Sequence, residues 1–204
     1  RERGIVVCSD ECYVEYTWSG APVGEVGLPA STMLSSGTSG VLALHSLSKR
    51  SNLAGGRIGF YAGDAALIAE LGERRRELGL VVPGPMQAAG ATAWSDQQHV
   101  TEQRERYLRR LERLAEAAVS AGCFDVRLPE GGFYLWLDVG DDDRAAVATL
   151  AGAGVLVQPG SIYGAAGAGR VRLAAVRPDA EIDEAARRLE ALRGVLAGGA
   201  GWRR

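Results

Sequence analysis

Lysine is almost missing from this chain. Of its 23 basic residues 22 are arginines, and the single lysine is Lys49. Arginine keeps its proton at any working pH, whereas a lysine amine can lose it and attack a carbonyl carbon. Histidine is scarce too, at His45 and His99, and the cysteines are Cys8, Cys12 and Cys123. No second pair follows Cys8 and Cys12, so no metal site is expected. Sparse, odd-numbered cysteines fit a reducing cytoplasm. No apolar run reaches about 18 residues, so no membrane-spanning helix and no membrane partner are expected. The net charge is −2 and the basic residues are dispersed, which argues against a nucleic-acid surface. The densest basic run, Arg74-Arg75-Arg76, lies between Glu73 and Glu77 and reads as a solvated helix face. The opening RERGIVV has no methionine and no secretory leader pattern, and reads as entry into a strand of something longer.

What is present is an ordinary apolar content, 47%, in a pattern that changes along the chain. Ile5 to Cys8 is a continuous apolar run, expected as a strand buried on both faces, with Cys8 packed inside. Residues 17–40, rich in Gly, Pro, Ser and Thr, read as loop. Strands are expected over Val41–His45 and Arg57–Ala62, then a helix capped by Asp64 with Leu67, Ile68, Leu71 and Leu78 on its apolar side. A helix from about Met86 to Gln97 follows Pro83-Gly84-Pro85. A long charged helix, Val100 to Ala121, carries Tyr107, Leu108, Leu111, Leu114 and Ala118 in one stripe. Beyond Gly122 the spacing predicts strands near 123–128, 133–138, 155–158 and 170–176. Helices are expected near 143–152 and from Asp179, as N-cap, to about Leu196. The division implied is residues 1–99, the end of an α/β domain, and residues 100–204, a linker helix with a small α+β domain.

Two glycine clusters, SGTSG at 36–40 and GGRIG at 55–59, precede strands. Phosphate-binding fingerprints place their glycines between a strand and a helix, so neither qualifies. Polar residues gather elsewhere. One strand runs into Asp10 with Tyr13 three residues on, and another into Ser46-Leu47-Ser48-Lys49. Arg57 lies eight residues past the lysine. In α/β proteins such strand ends hold ligands. Hydroxyls and a guanidinium suit a phosphate, a carboxylate suits a protonated ring nitrogen, and an amine suits an aldehyde. Pyridoxal phosphate asks for all four.

The pattern D-E-x-Y, S-x-S-K and x7-R resembles the fold-type I pyridoxal-phosphate enzymes of the class I/II aminotransferase family. So do VPGPMQAAGA at 82–91, EGGFYLWLDV at 130–139, GVLVQPGSIYG at 154–164 and RVRLAAVRPDAEIDEAARRL at 170–189. Within that family SDECYVEYTW, LALHSLSKRSNLAGGRIGF and LVVPGPMQAAG are most similar to the actinobacterial type of succinyldiaminopimelate aminotransferase. The resemblance implies the end of a large-domain mixed sheet plus a small α+β domain. It implies an amino transfer from glutamate to a keto acid such as N-succinyl-2-amino-6-ketopimelate. It also implies a homodimer, and a preceding segment that contributes to the cofactor site. By its motifs Lys49 is the catalytic lysine that binds the cofactor, Asp10 partners the ring nitrogen, and Tyr13 donates to the ring's phenolic oxygen. Ser46, Ser48 and Arg57 hold the phosphate. Alternation puts Arg170 and Arg172 on one strand face and does not separate them; the family motif assigns the substrate carboxylate to Arg172. Tyr134, Trp136 and Tyr163 read as core or domain-interface aromatics, and Gln87 as part of a packed helix start. A carbon–sulfur β-lyase or a different aminotransferase of the same fold, a non-catalytic aminotransferase-like module and a bare structural fragment stay open as alternatives.

Overall fold

The computed structural model describes residues 3–17, 32–123 and 126–193. Contacts divide the chain into two units, Arg1–Arg104 and Glu105–Arg204.

In the first unit β1 (Val7–Asp10), β2 (Val41–Ser46) and β3 (Gly59–Gly63) form one sheet in that order. β1 runs parallel to β2, with Asp10 opposite Leu44, and β3 runs antiparallel, with Gly59 opposite Ser46. The ends of β1 and β2 and the start of β3 therefore lie at one edge. Val41, Leu42 and Ala43 are buried in the central strand. Ser46 leaves β2 in extended geometry and caps the single-turn helix α1 (Leu47–Arg50), its Oγ accepting from the Ser48 N–H. Asp64 caps α2 (Ala65–Glu77), as its sequence position predicts. α3 (Gly84–Ser95) follows Pro83, with Pro85 in its first turn where no N–H is missed.

α4 (Gln98–Ala121) leads into the second unit. There β4 (Tyr134–Asp138), β6 (Arg170–Ala174) and the two-residue β5 (Gln158–Pro159) form an antiparallel sheet in the order β4-β6-β5. Alternation buries Leu135, Leu137, Val171 and Leu173 and leaves Tyr134, Trp136 and Arg172 on the other face. α5 (Asp143–Gly152) packs on β5 and β6, while Arg113 of α4 pairs with Glu190 of α6 (Asp179–Ala191) at 2.6 Å. Of the predicted helical stripe Tyr107, Leu111, Leu114 and Ala118 are buried, while Leu108 is half-buried at its margin.

Several expectations need correction. The run at Ile5–Cys8 is not enclosed on both faces: Ile5 and Val6 are exposed, as is Cys8, because among the described residues β1 pairs on one side only. The strand starts two residues later, at Val7. The described residues of 123–128 form no strand, residues 124 and 125 lying outside them. β5 is shorter than expected and begins later, at Gln158, residues 155–157 forming no strand. Pro178, not Asp179, stands at the N-cap of α6. Leu78 is the C-cap of α2 and exposed. Of the long loop, 18–31 fall outside the described residues, and Met33–Ser36 make a 3-10 turn.

Asp64 also ties the sheet together. Its Oδ1 accepts from the N–H groups of Ala66 and Leu67, and its Oδ2 from Gly40 at 2.8 Å, just ahead of β2. These bonds hold its carboxyl below the ordinary carboxylate pKa. A depressed folded-state pKa contributes stability above the unfolded value that is lost as pH falls through the folded one. Asp64→Ala is expected to lower the thermal midpoint by several degrees at neutral pH. The gap to wild type should close in acid below the Asp64 pKa, as followed by circular dichroism.

Candidate active site

The common edge of the first sheet opens into a cleft of about 900 Å³. Asp10, Ser46, Ser48 and Arg57 all line it, with Cys12, His45, Phe60, Gln87 and Trp94. Lys49 is half-buried on α1 beside Ser48, and Tyr13 sits half-buried in the turn after β1; neither lines the cleft. Arg57 is not on β3 but two residues ahead of it, in left-handed geometry with φ 52, after the 3-10 turn Ala54–Gly56. Its guanidinium donates to the Ala54 carbonyl at 3.1 Å and pairs with no carboxylate among the described residues. The Lys49 amine likewise makes no hydrogen bond or ion pair among them. Arg172 belongs to the second unit and is described below with its own neighbours.

Asp10 is held ionised. The Cys12 side chain and the Cys12 N–H, 3.1 Å from Oδ1, both hydrogen-bond the carboxyl and draw its pKa down, with His45 adding a smaller effect. The same pairing acts in reverse on the thiol. Burial, then the hydrogen bond to Asp10, pushes the Cys12 pKa up to about 11, against a smaller opposing pull from Lys49. Cys12 is thus a neutral donor to the carboxylate.

Behind this edge lies a buried polar layer. Glu11 accepts from Thr32 Oγ1 at 2.6 Å and from the Met33 N–H at 2.8 Å, with His45 Nε2 at 3.3 Å. The His45 ring stacks on Phe60 with centroids 4.8 Å apart, and Trp94 meets Phe60 edge-on at 4.7 Å. Arg50, next to the lysine, is 5% exposed. Its NH1 donates to the Ala93 carbonyl at 2.7 Å and its NH2 to Gln97 Oε1 at 2.9 Å. Its Nε lies 2.7 Å from Glu15 Oε2, an ion pair off the hydrogen-bond axis. Its guanidinium lies 4.7 Å from the Trp94 ring, and the Tyr16 hydroxyl donates to its carbonyl at 2.7 Å. Arg50 thereby pins α1 to the turn after β1 and to the end of α3.

Sequence reasoning missed Cys12, His45 and Arg50, and placed Gln87 in a packed helix start. Gln87 is instead exposed on the cleft, its Nε2 donating to the Val82 carbonyl at 2.7 Å. The one available signal for His45 was its place just before the Ser-Leu-Ser-Lys run. Tyr134, Trp136 and Tyr163 are likewise not core: Tyr134 is half-buried, and the other two are exposed.

The sequence profile described as Aminotransferase class I and II matches residues 1–189. The chain is 47% identical over 189 residues to the 4-dedimethylamino-4-oxo-anhydrotetracycline transaminase OxyQ of Streptomyces rimosus, covering 93% of this chain and 52% of that protein. It is 33% identical to the LL-diaminopimelate aminotransferase of Syntrophobacter fumaroxidans, covering 94% of this chain and 49% of the other. A solved aminotransferase from Neisseria meningitidis superposes with a TM-score of 0.80 at 37% identity, over 94% of this chain and 50% of that one. The chain therefore spans about half the length of the curated relatives it matches. Enzymes of this family use pyridoxal phosphate. The donor set at the cleft fits that group: an ionised carboxylate, two hydroxyls, a guanidinium without a carboxylate partner among the described residues, and a lysine close by.

Removing one partner of a buried charge pair leaves the other uncompensated. Arg50→Ala is expected to cost about 3–5 kcal/mol in urea unfolding. Arg50→Lys should recover little of it, lacking the planar fork that reaches Ala93 and Gln97 together.

Proposed function

We propose that this chain, which belongs to the class I and II aminotransferase family, carries the lysine side of a pyridoxal-phosphate site. It would serve the transfer of an amino group from glutamate to a keto acid. The observation that carries this reading is the convergence of Asp10, Ser46, Ser48 and Arg57 on one cleft beside the only lysine. When bound, the cofactor supplies an electron-withdrawing ring that accepts negative charge from the amino acid's α carbon.

The residues divide the work. Lys49, on the first turn after β2, would hold the cofactor at its aldehyde carbon, and its amine would carry a proton at the substrate α carbon. Asp10, kept ionised by Cys12, would accept from the ring N–H and so hold that nitrogen protonated. Ser46, Ser48 and Arg57 bind the phosphate; the guanidinium contributes charge and the hydroxyls contribute direction. Tyr13, in the turn after β1, would donate to the ring's phenolic oxygen. Arg172 grips the substrate carboxylate in a planar two-point contact.

For the acceptor we favour N-succinyl-2-amino-6-ketopimelate, on the wording of SDECYVEYTW and LALHSLSKRSNLAGGRIGF. A relative named for LL-diaminopimelate supports this chemical neighbourhood, and one named for a tetracycline intermediate marks the competing direction. A homodimer in the cytoplasm fits the exposed Leu78, Leu80 and Val81 by the cleft and the free cysteines.

The test is acceptor-dependent turnover. With glutamate and pyridoxal phosphate, the protein carrying this chain should form 2-oxoglutarate in step with aminated product. N-succinyl-2-amino-6-ketopimelate should lead a panel of keto acids, and Lys49→Ala should abolish the reaction. Pyruvate released from cystathionine, without amino transfer, would place the protein among the carbon–sulfur lyases instead.

A further inference from the structure

The open face of the second sheet gives Arg172 a defined surrounding. It stands opposite Trp136 on β4 and opposite Gln158 on β5. Its guanidinium carbon lies 4.3 Å from the Tyr134 ring centre and 5.3 Å from that of Tyr163. Two aromatic faces hold the cation and restrict its swing without neutralising it. Among the described residues no carboxylate pairs with it. Its NH2 group donates instead to Gln158 Oε1, and the Tyr163 hydroxyl donates to that same oxygen at 2.7 Å. One neutral amide oxygen thus collects one cationic and one phenolic donor.

The turn that carries Tyr163 is fixed. A Cβ added at Gly160 would fall 2.1 Å from the Gly167 carbonyl oxygen and 3.0 Å from Trp136. The Ser161 N–H donates to Asp143 Oδ2 at 2.6 Å, and the Tyr163 ring meets Trp136 edge-on at 5.7 Å. Half of the Tyr163 side chain remains open to solvent.

We propose that the Tyr163 hydroxyl is a substrate-binding donor, acting beside Arg172 on the same carboxylate. Gln158 Oε1 occupies the place of one carboxylate oxygen until the ligand displaces it. This rests on the reading of Arg172 as the carboxylate-binding residue. A carboxylate oxygen accepts more strongly than an amide oxygen, so the exchange favours the ligand. The two donors are already aimed, so little ordering is left for binding to cost.

Titration of the ¹⁵N-labelled 204-residue chain with succinate, against chloride at equal ionic strength, tests this without catalysis. The readouts are the Arg172 Nε–H and the Gln158 side-chain amide. Succinate should shift both and chloride neither. Tyr163→Phe should weaken succinate by about tenfold, the loss of one hydrogen bond to a charged group. Gln158→Ala should tighten it several-fold, which a merely structural glutamine would not do. Succinate affinity unchanged within twofold in Tyr163→Phe, or weakened in Gln158→Ala, overturns the proposal while Arg172→Ala still abolishes binding. If Arg172→Ala also binds succinate normally, the assignment of Arg172 itself fails.

Discussion

The burial of Arg50 is the constraint on which the first unit turns. A guanidinium 5% exposed must find its partners inside, and it finds them in two places distant in sequence: Glu15 in the turn after β1, and the end of α3, with Ala93 and the ring of Trp94 on the helix and Gln97 two residues past it. An ion pair in such a place adds little over a well-packed apolar substitute, but it fixes geometry, since both terminal nitrogens, the charge and the ring contact must be met together. What it fixes is a helix of one turn. α1 is too short to hold itself together by helix propagation and depends on its Ser46 cap and on this anchor. Lys49, one residue before the anchor, inherits that placement.

Around the fixed turn the sheet supplies direction. Because β1 and β2 run parallel and β3 returns against them, three polar segments distant in sequence open at one edge. Their electrostatics are arranged in layers. Cys12 keeps its proton and lends its donors to Asp10, so the carboxylate stays charged at the edge of the cleft. Glu11 lies one residue away, satisfied by Thr32, Met33 and His45. Adjacent acids thus separate by environment, Glu11 buried among donors and Asp10 facing the cleft. The second unit uses another device, an arginine held between tyrosine faces with a neutral oxygen at its tip.

Much of this could be read from the sequence where a local rule decides. The scarcity of lysine singled out Lys49, strand-end polarity brought Asp10, Ser46, Ser48 and Arg57 forward, and the Asp64 cap and the stripe on α4 followed from spacing alone. The resemblance to class I and II aminotransferases agrees with a profile match over residues 1–189. The misses are tertiary. Ile5 and Val6 look like interior strand residues, and their exposure depends on what stands beside β1. Arg50 reads as one more arginine on a helix, for no local pattern marks a guanidinium for burial. Arg170 and Arg172 share a strand face, and only the third dimension separates them. Arg172 meets two tyrosine rings, while Arg170 reaches the Ala166 carbonyl at 3.5 Å. Left-handed geometry at Arg57 is equally invisible in composition, since the residue that follows Gly55 and Gly56 is not itself a glycine.

The scarcity of lysine also makes the central claim directly measurable. The chain would be incubated with pyridoxal phosphate, reduced with borohydride, and analysed by intact mass and then by peptide mapping. Lys49 and the N-terminal amine are the only primary amines available to carry the adduct. The account predicts one adduct per chain, located on Lys49. An adduct absent, or confined to the N-terminal amine, would contradict the claim that these strand ends build a cofactor site around that lysine.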